Sequence, residues 1–371
     1  MRYEDVVSGI FDGSFFRVFV GDCVEKLKSF PDGFVHAVMT SPPYFSLRVY
    51  GSGSKEVGLE DSVDEYLDKI VSVGKEIYRV LRDDGVFWLN IDDTVSDGSD
   101  GMVVSGRHVR KGELLGVPFE MVRRLTREAG FILLQDIIWE KTGLPPRSVK
   151  SKPVRNHEYI FMFSKCVNPF YDWFGVREKS SSDEVKLAKR GYSKERLKAA
   201  KDSKVCCAKF DDKGAFVGLL RKMRTVWLVP NNRDTSEYAG HFARYPVKLC
   251  MKALRSSIGV GLCCSGCGRL VERKLKRVSR VEAVELGDEF FMQGLELKCR
   301  CKRSCCDDVN CVSCRGLGRV LVKPVVLDPF SGSGSTGVAA LRCSVRYVGI
   351  ELNEDFAGES VRRLEGEMGL F

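Results

Sequence analysis

The sequence predicts an α/β protein with a Rossmann-like, doubly wound, mostly parallel sheet assembled from both ends of the chain. Three observations predict it. Strand-like and helix-like segments alternate from residue 16 to about residue 165. The pattern then breaks through the middle of the chain. It resumes after residue 323, where a strand, a glycine-rich loop, a helix and a further strand follow one another. Such alternation implies parallel strands with helices on both faces, and the break implies that the material between is inserted.

Taken in order, F-R-V-F-V at 16–20 alternates as a strand and is closed by Gly21 and Asp22. C-V-E-K-L-K-S-F at 23–30 is a short amphipathic helix, and F-V-H-A-V-M-T at 34–40 is a second strand, stopped by Ser41-Pro42-Pro43. Residues 62–81 carry apolar side chains at three- and four-residue spacing and open with the capping pair Ser62 and Glu65, so they form a helix. G-V-F-W-L-N-I at 85–91 is a strand followed by the acidic turn Asp92-Asp93. A helix at 117–130 ends at Gly130, and strands follow at 131–139 and 157–164. Residues 166–240 are basic and irregular, and 241–257 read as helical. After the cysteine-rich stretch come the strand V-V-L-D-P-F, the loop S-G-S-G-S-T-G, the helix V-A-A-L-R and the strand V-R-Y-V-G-I, which ends at Glu351.

A chain of 371 residues can bury a large core and is expected to form two or three units. The N-terminus has charges where a signal peptide needs an apolar stretch. No apolar run approaches the roughly 20 residues of a membrane span. The expected location is the cytoplasm, with no membrane partner. The net charge of +9 is concentrated, since residues 177–224 hold 15 Lys and Arg against 7 Asp and Glu. That is the footprint of a polyanion partner, although composition alone fits a solvated helical face equally well.

Gly332, Gly334 and Gly337 follow a strand and open a helix, and Glu351 stands 14 residues past Gly337 at the tip of the next strand. This is the context of a nucleotide site: glycines let the backbone approach the ligand, and the acid can hold both ribose hydroxyls. Asp328, at the start of the loop, suits a ligand with a cationic amine. S-adenosylmethionine, with an amine, a sulfonium and no phosphate, fits better than NAD, which the loop alone also admits.

T-S-P-P-Y at 40–44 also ends a strand, so its loop can face the glycine loop across a cleft. The exocyclic amine of cytosine or adenine is a poor nucleophile because its lone pair is delocalised into the ring. Two acceptors for its N–H protons, Ser41 Oγ and the Pro42 carbonyl, would localise that pair. Pro42 and Pro43 stiffen the loop, and Tyr44 offers a face for a flipped base. The effect is alignment and hydrogen bonding in a dry pocket, with no covalent intermediate.

On these residues the chain resembles the permuted (β-group) S-adenosylmethionine-dependent amino-methyltransferases of DNA, which act on N4 of cytosine or N6 of adenine. T-S-P-P-Y-F-S-L-R-V-Y-G, L-R-D-D-G-V-F-W-L-N-I-D-D-T, D-I-I-W-E-K, H-E-Y-I-F-M-F-S-K, H-F-A-R-Y-P, V-L-D-P-F-S-G-S-G-S-T-G and Y-V-G-I-E-L-N carry the resemblance, which covers most of the chain. It implies that Ser41, Pro42, Pro43 and Tyr44 hold the target base. It implies that Asp328, Phe330, Gly332, Gly334, Ser335 and Thr336 hold the methionine part of the cofactor, Glu351 the ribose, and Asp22 a place near the adenine. Thr40, Asp93 (on the family's usual acid) and His241 (in the segment near the methionine end) complete the implied cofactor side. Ser before P-P-Y tilts the reading to cytosine-N4, with adenine-N6 as the alternative. Cytosine-C5 chemistry is disfavoured because the chain has no Pro-Cys pair.

Nine of the 15 cysteines lie between Cys263 and Cys314. Cys264 with Cys267 and Cys311 with Cys314 have knuckle spacing, and Cys299, Cys301, Cys305 and Cys306 lie between them. These eight suffice for one or two structural zinc sites. Arg147, Lys150, Lys152 and Arg155 are placed to touch phosphates.

The expected organisation is therefore a catalytic half at 1–145, a target-recognition insert at 146–240, a cofactor-adjacent segment at 241–262, a zinc-binding insert at 263–322 and a cofactor-binding half at 323–371. The expected function is site-specific methylation of cytosine N4 in double-stranded DNA. The resemblance implies a restriction-modification setting or phage self-protection, with a cognate restriction endonuclease as partner. A non-catalytic zinc-bearing DNA-binding module is the alternative of a different class.

Overall fold

Successive residues of a strand point to opposite faces of its sheet, and here both faces are covered. The computed structural model describes residues 2–47, 56–98, 103–142, 151–179, 220–230, 245–275, 292–296 and 320–369. Among these, eight strands form one sheet: β1 (Phe16–Val20), β2 (Val35–Thr40), β3 (Leu81–Ile91), β4 (Ile132–Glu140), β5 (His157–Ser164), β6 (Val226–Leu228), β7 (Val325–Asp328) and β8 (Arg346–Glu351). Their spatial order is β1-β8-β7-β2-β3-β5-β4-β6. Neighbours are parallel except where β5 runs antiparallel to both β3 and β4. The first strand pairs with the last, Phe16 with Tyr347 through Val20 with Glu351, and β7 lies between β8 and β2. The two chain ends thus build one sheet.

Among the described residues seven helices flank it: α1 (Tyr3–Phe11), α2 (Cys23–Lys28), α3 (Val63–Val80), α4 (Val117–Glu128), α5 (Val247–Ile258), α6 (Ser335–Arg342) and α7 (Glu354–Met368). One core joins Val38, Phe87, Leu89, Phe163 and Leu327 of the sheet to Val7, Leu27, Leu67 and Leu125 of α1 to α4. The other joins Ala37, Val86, Trp88, Val326 and Tyr347 to Leu249, Leu254, Val338 and Leu364 of α5 to α7. Adjacent residues such as Ala37 and Val38 fall in different cores. Runs that read as continuously apolar are therefore alternating strands buried twice over.

Local chemistry sets the helix starts. Ser62 accepts the Glu65 amide at 3.2 Å, and Asn353 accepts those of Asp355 and Phe356 at 2.9 and 3.2 Å. The helix expected from residue 241 begins instead at Val247, because Pro246 is extended and restricts the residue before it. Helix α6 begins at Ser335, within the glycine loop, and β3 begins at Leu81, directly after α3.

Cys264 and Cys267 sit at the opposite end of the sheet from the strand tips that follow β2 and β7. The turn they frame is closed by the Gly268 amide donating to the Cys264 carbonyl at 2.8 Å. His36, near the start of β2, holds the Gly268 carbonyl through Nε2 at 2.6 Å. The first amides of α1, at Tyr3 and Glu4, donate to the carbonyls of Gly266 and Ser265 at 3.1 and 2.9 Å. Among the described residues no cluster of three or more metal-ligating side chains occurs. Cys299, Cys301, Cys305, Cys306, Cys311 and Cys314 lie outside the described residues.

Helix α6 lies so close to the sheet that a Cβ on Gly337 would come within 2.6 Å of the Tyr347 ring and 2.7 Å of Leu364. Gly366, on the exposed side of α7, has no atom within 4 Å of that position. Gly337→Ala should cost about 1–3 kcal/mol by overpacking. Gly366→Ala should instead add about 0.5–1 kcal/mol through helix propensity. Thermal unfolding of the two variants reads both signs.

Candidate active site

In a parallel sheet the carboxyl ends of the strands share one edge, and loops leaving adjacent strands face each other there. Strands β2 and β7 are adjacent, so the Thr40–Tyr44 loop and the Asp328–Phe330 turn leave side by side. Thr40 Oγ1 donates to Asp328 Oδ1 at 2.6 Å. Asp328 is only 1% exposed. It also accepts from the Phe330 amide (3.0 Å), the Thr336 hydroxyl (2.7 Å) and the Tyr245 hydroxyl (3.0 Å), and these last two hydroxyls touch. Burial raises the Asp328 carboxyl above its ordinary value, while these donors pull it back.

One strand further, Glu351 marks the tip of β8. Its two oxygens accept the Gly332 amide (2.7 Å) and the Asn353 amide (3.0 Å). Burial raises this carboxyl also. Gly334 has φ 80°, and a side chain there would meet Ser360 Oγ at 2.5 Å, so the loop enters α6 through a position reserved for glycine. Ser335 is buried and accepts from Arg363 at 3.3 Å. Phe330 is partly buried against the first core. Asp22 stands at the tip of β1 and caps α2 by accepting the Glu25 amide at 3.0 Å.

The Ser41–Tyr44 loop is held from both sides. Tyr66 of α3 donates to the Pro43 carbonyl at 2.9 Å, whereas no described residue donates to the Pro42 carbonyl. Ser41 Oγ donates to the Tyr44 hydroxyl at 3.4 Å, and Tyr44 donates to Glu158 Oε2 at 2.8 Å. Glu158, 8% exposed near the start of β5, also accepts from Asn90 Nδ2 at 2.9 Å and pairs with Lys141. Burial, then the Glu158 carboxylate, push the Tyr44 phenol well above its ordinary value, so it stays protonated.

Both loops fall within matches to known proteins. The DNA methylase family N6_N4_Mtase matches residues 35–261 and 321–362. The chain belongs to this family of N6/N4 DNA methylases. The type II methyltransferases M.Cfr9I of Citrobacter freundii and M.SmaI of Serratia marcescens are each 28% identical to it. The alignments span 94% of this chain in both cases, and 88% and 90% of those proteins. The solved PvuII DNA methyltransferase (cytosine-N4-specific) shares its fold with TM-score 0.52 and 17% identity, over 96% of this chain and 91% of that one.

Within the methylase, the structure brings Thr40, Asp328 and Thr336 into one network and places Glu351 against Gly332. Other expected residues are committed elsewhere. Asp93 accepts the amides of Gly116 (3.0 Å) and Val117 (3.1 Å) and so serves the start of α4. Thr336 has no exposed surface. Arg155 pairs with Asp92, and Lys152 donates to the Gly112 carbonyl at 3.0 Å. His241, Arg147 and Lys150 lie outside the described residues. Sequence reasoning missed Tyr245 and Glu158. A lone acid at the start of the apolar run H-E-Y-I-F-M-F was a signal, because buried carboxylates need partners. Tyr245 lies in the very segment from which His241 was chosen.

Removing the Tyr245 hydroxyl takes one donor from a buried carboxylate. Tyr245→Phe should lower unfolding stability by about 1–3 kcal/mol. An unchanged urea midpoint would take Tyr245 out of the network.

Proposed function

We propose that this methylase transfers a methyl group from S-adenosylmethionine to N4 of cytosine in duplex DNA, acting on a base flipped out of the helix. The observation that carries the reading is the Thr40 to Asp328 hydrogen bond of 2.6 Å, which ties the base-holding loop to the cofactor loop across adjacent strands. The cofactor residues fit their ligand. The Glu351 oxygens accept the Gly332 and Asn353 amides, and a carboxylate at the strand tip has further acceptor capacity for a ribose diol. When bound, S-adenosylmethionine supplies the methyl group, whose bond to sulfur breaks with its electron pair left on the thioether. Ser41 Oγ and the Pro42 carbonyl accept the amine protons and favour pyramidal nitrogen. Tyr44 stacks on the base, and one amine proton is released as the N–C bond forms.

Asp328 reaches an amine only if one of its donors gives way, so its part in this reading is to fix the cofactor loop. Ser41 supports cytosine-N4 over adenine-N6, and the fold relative that is cytosine-N4-specific supports the same choice. Residues 146–240 serve as the target-recognition region. A type II restriction endonuclease is the proposed counterpart, on the strength of the type II relatives. A structural zinc on Cys264, Cys267 and two of the later cysteines belongs to the same proposal, because the Cys264–Gly268 turn already has the closed form of a knuckle. Metal analysis of the purified protein checks it, and a folded, zinc-free protein overturns it.

Nucleoside mass spectrometry of unmethylated DNA of mixed sequence, incubated with protein and S-adenosylmethionine, tests the function. 4-Methylcytosine is expected, 6-methyladenine would replace the base assignment, and no methylated base would overturn the reading. Ser41→Ala should lower turnover by about 10²- to 10³-fold with cofactor affinity nearly unchanged.

A pH dependence follows from Glu351. The ionised carboxylate accepts the ribose hydroxyls, and its folded pKa is raised by burial. Cofactor affinity should therefore weaken as pH falls through that raised value, at a pH above the ordinary carboxylate range. Glu351→Gln should flatten this limb in a calorimetric titration with S-adenosylmethionine.

A further inference from the structure

We propose that Glu158 is a positioning residue that fixes the direction of the hydrogen bonds in the base-holding loop and so makes Ser41 Oγ an acceptor. The inference rests on the proposed methyl transfer and adds to it a residue that never touches the base.

The argument is one of donors and acceptors. An ionised carboxylate can only accept. Glu158 pairs with Lys141 through Oε1, and its Oε2 accepts from Asn90 Nδ2 at 2.9 Å and the Tyr44 hydroxyl at 2.8 Å. With the single Tyr44 proton engaged on Glu158, the phenol oxygen is left as an acceptor. The Ser41 hydroxyl, 3.4 Å away, turns its own proton toward that oxygen. The lone pairs of Ser41 Oγ are then available to an incoming group. An amine brings protons and is accepted; a keto oxygen brings none and would leave those lone pairs unmet. The chain from Glu158 through Tyr44 to Ser41 thus favours bases with an exocyclic amine and rejects thymine. It also fixes the plane of Tyr44, on which the base stacks.

The chain is anchored from separate strands. Asn90 is the last residue but one of β3, Lys141 follows β4 and Glu158 is the second residue of β5, so all three groups stand at the edge from which the Ser41 loop leaves. A carboxylate 8% exposed, with three polar partners around it, is costly to bury and serves no helix end.

The test uses wild-type protein, Glu158→Gln, Tyr44→Phe and the double variant. Each is assayed for methylated nucleoside under single-turnover conditions and for S-adenosylmethionine affinity by calorimetry. Glutamine keeps the shape but presents an amide that can donate to Tyr44, and phenylalanine keeps the stacking face. Each single change should lower the methyl-transfer rate by about 10²-fold with cofactor affinity unchanged, and the double variant should be no slower than either. Multiplying losses, or full activity in Tyr44→Phe, would overturn the inference. Should Glu158→Gln fail to fold with Lys141 unpaired, Tyr44→Phe alone decides it, since a ring without the hydroxyl leaves the pair intact. No methylated nucleoside from the wild-type protein would overturn the proposed function and this inference with it.

Discussion

Asp328 has lost nearly all contact with water, and a carboxylate so placed is stable only where donors replace the lost hydration. Those donors come from segments far apart in sequence: Thr40 at the end of β2, Phe330 and Thr336 on its own loop and helix, and Tyr245 ahead of α5. One charge therefore gathers the end of the base-holding strand, the glycine loop and the helix across the sheet. None of the three can shift without exposing an uncompensated acceptor. The fold needs this because its two functional loops are separated by almost 290 residues, and only pairing of β2 with β7 brings them together.

The sheet also separates two kinds of work. At the carboxyl ends of the strands lie Asp22, Ser41, Asp92 and Glu351, half-buried on turns that leave polar groups near solvent, with Asp328 buried among them. At the other ends the contacts are closed and structural. His36 lies wholly in the interior, where burial drives its pKa well below the ordinary value, so the neutral ring bridges the Gly268 carbonyl and the Val325 amide. Arg82 reaches the Cys267 carbonyl at 3.0 Å. A cysteine turn fastened there stiffens the base of the sheet and the start of α1, which suits a structural ligand set and not a reacting one.

The parallel sheet and its glycine loop were legible in the sequence because they depend on short-range signals. Alternation, caps such as Ser62, and the Gly332–Gly337 spacing need no knowledge of distant residues. The partners of the site were not legible for the opposite reason. Nothing local to Asp93 shows that its carboxylate will close on Gly116 and Val117, and nothing local to Arg155 shows that Asp92 will claim it. His241 entered only through the resemblance of its segment, and nothing local to that segment shows that the Tyr245 phenol will reach Asp328. Motif spacing locates loops; it does not say which of their side chains face the ligand and which face the core.

Charge adds a last step. The edge at the carboxyl ends of the strands is acidic, with Asp92, Asp93, Glu158, Asp328 and Glu351 set along it, and Lys141 and Arg155 are already paired with Glu158 and Asp92. Such an edge repels phosphate. For an enzyme of the proposed kind this is an advantage, since the pocket must admit a neutral base and a cationic cofactor and keep the nucleic-acid backbone outside. Backbone affinity must then come from elsewhere, and the chain's positive charge is concentrated in the sequence between residues 177 and 224. In the proposed reading, separating attraction for phosphate from selection of the base would let one part of the chain bind any duplex while the other accepts only a base with an amine to offer.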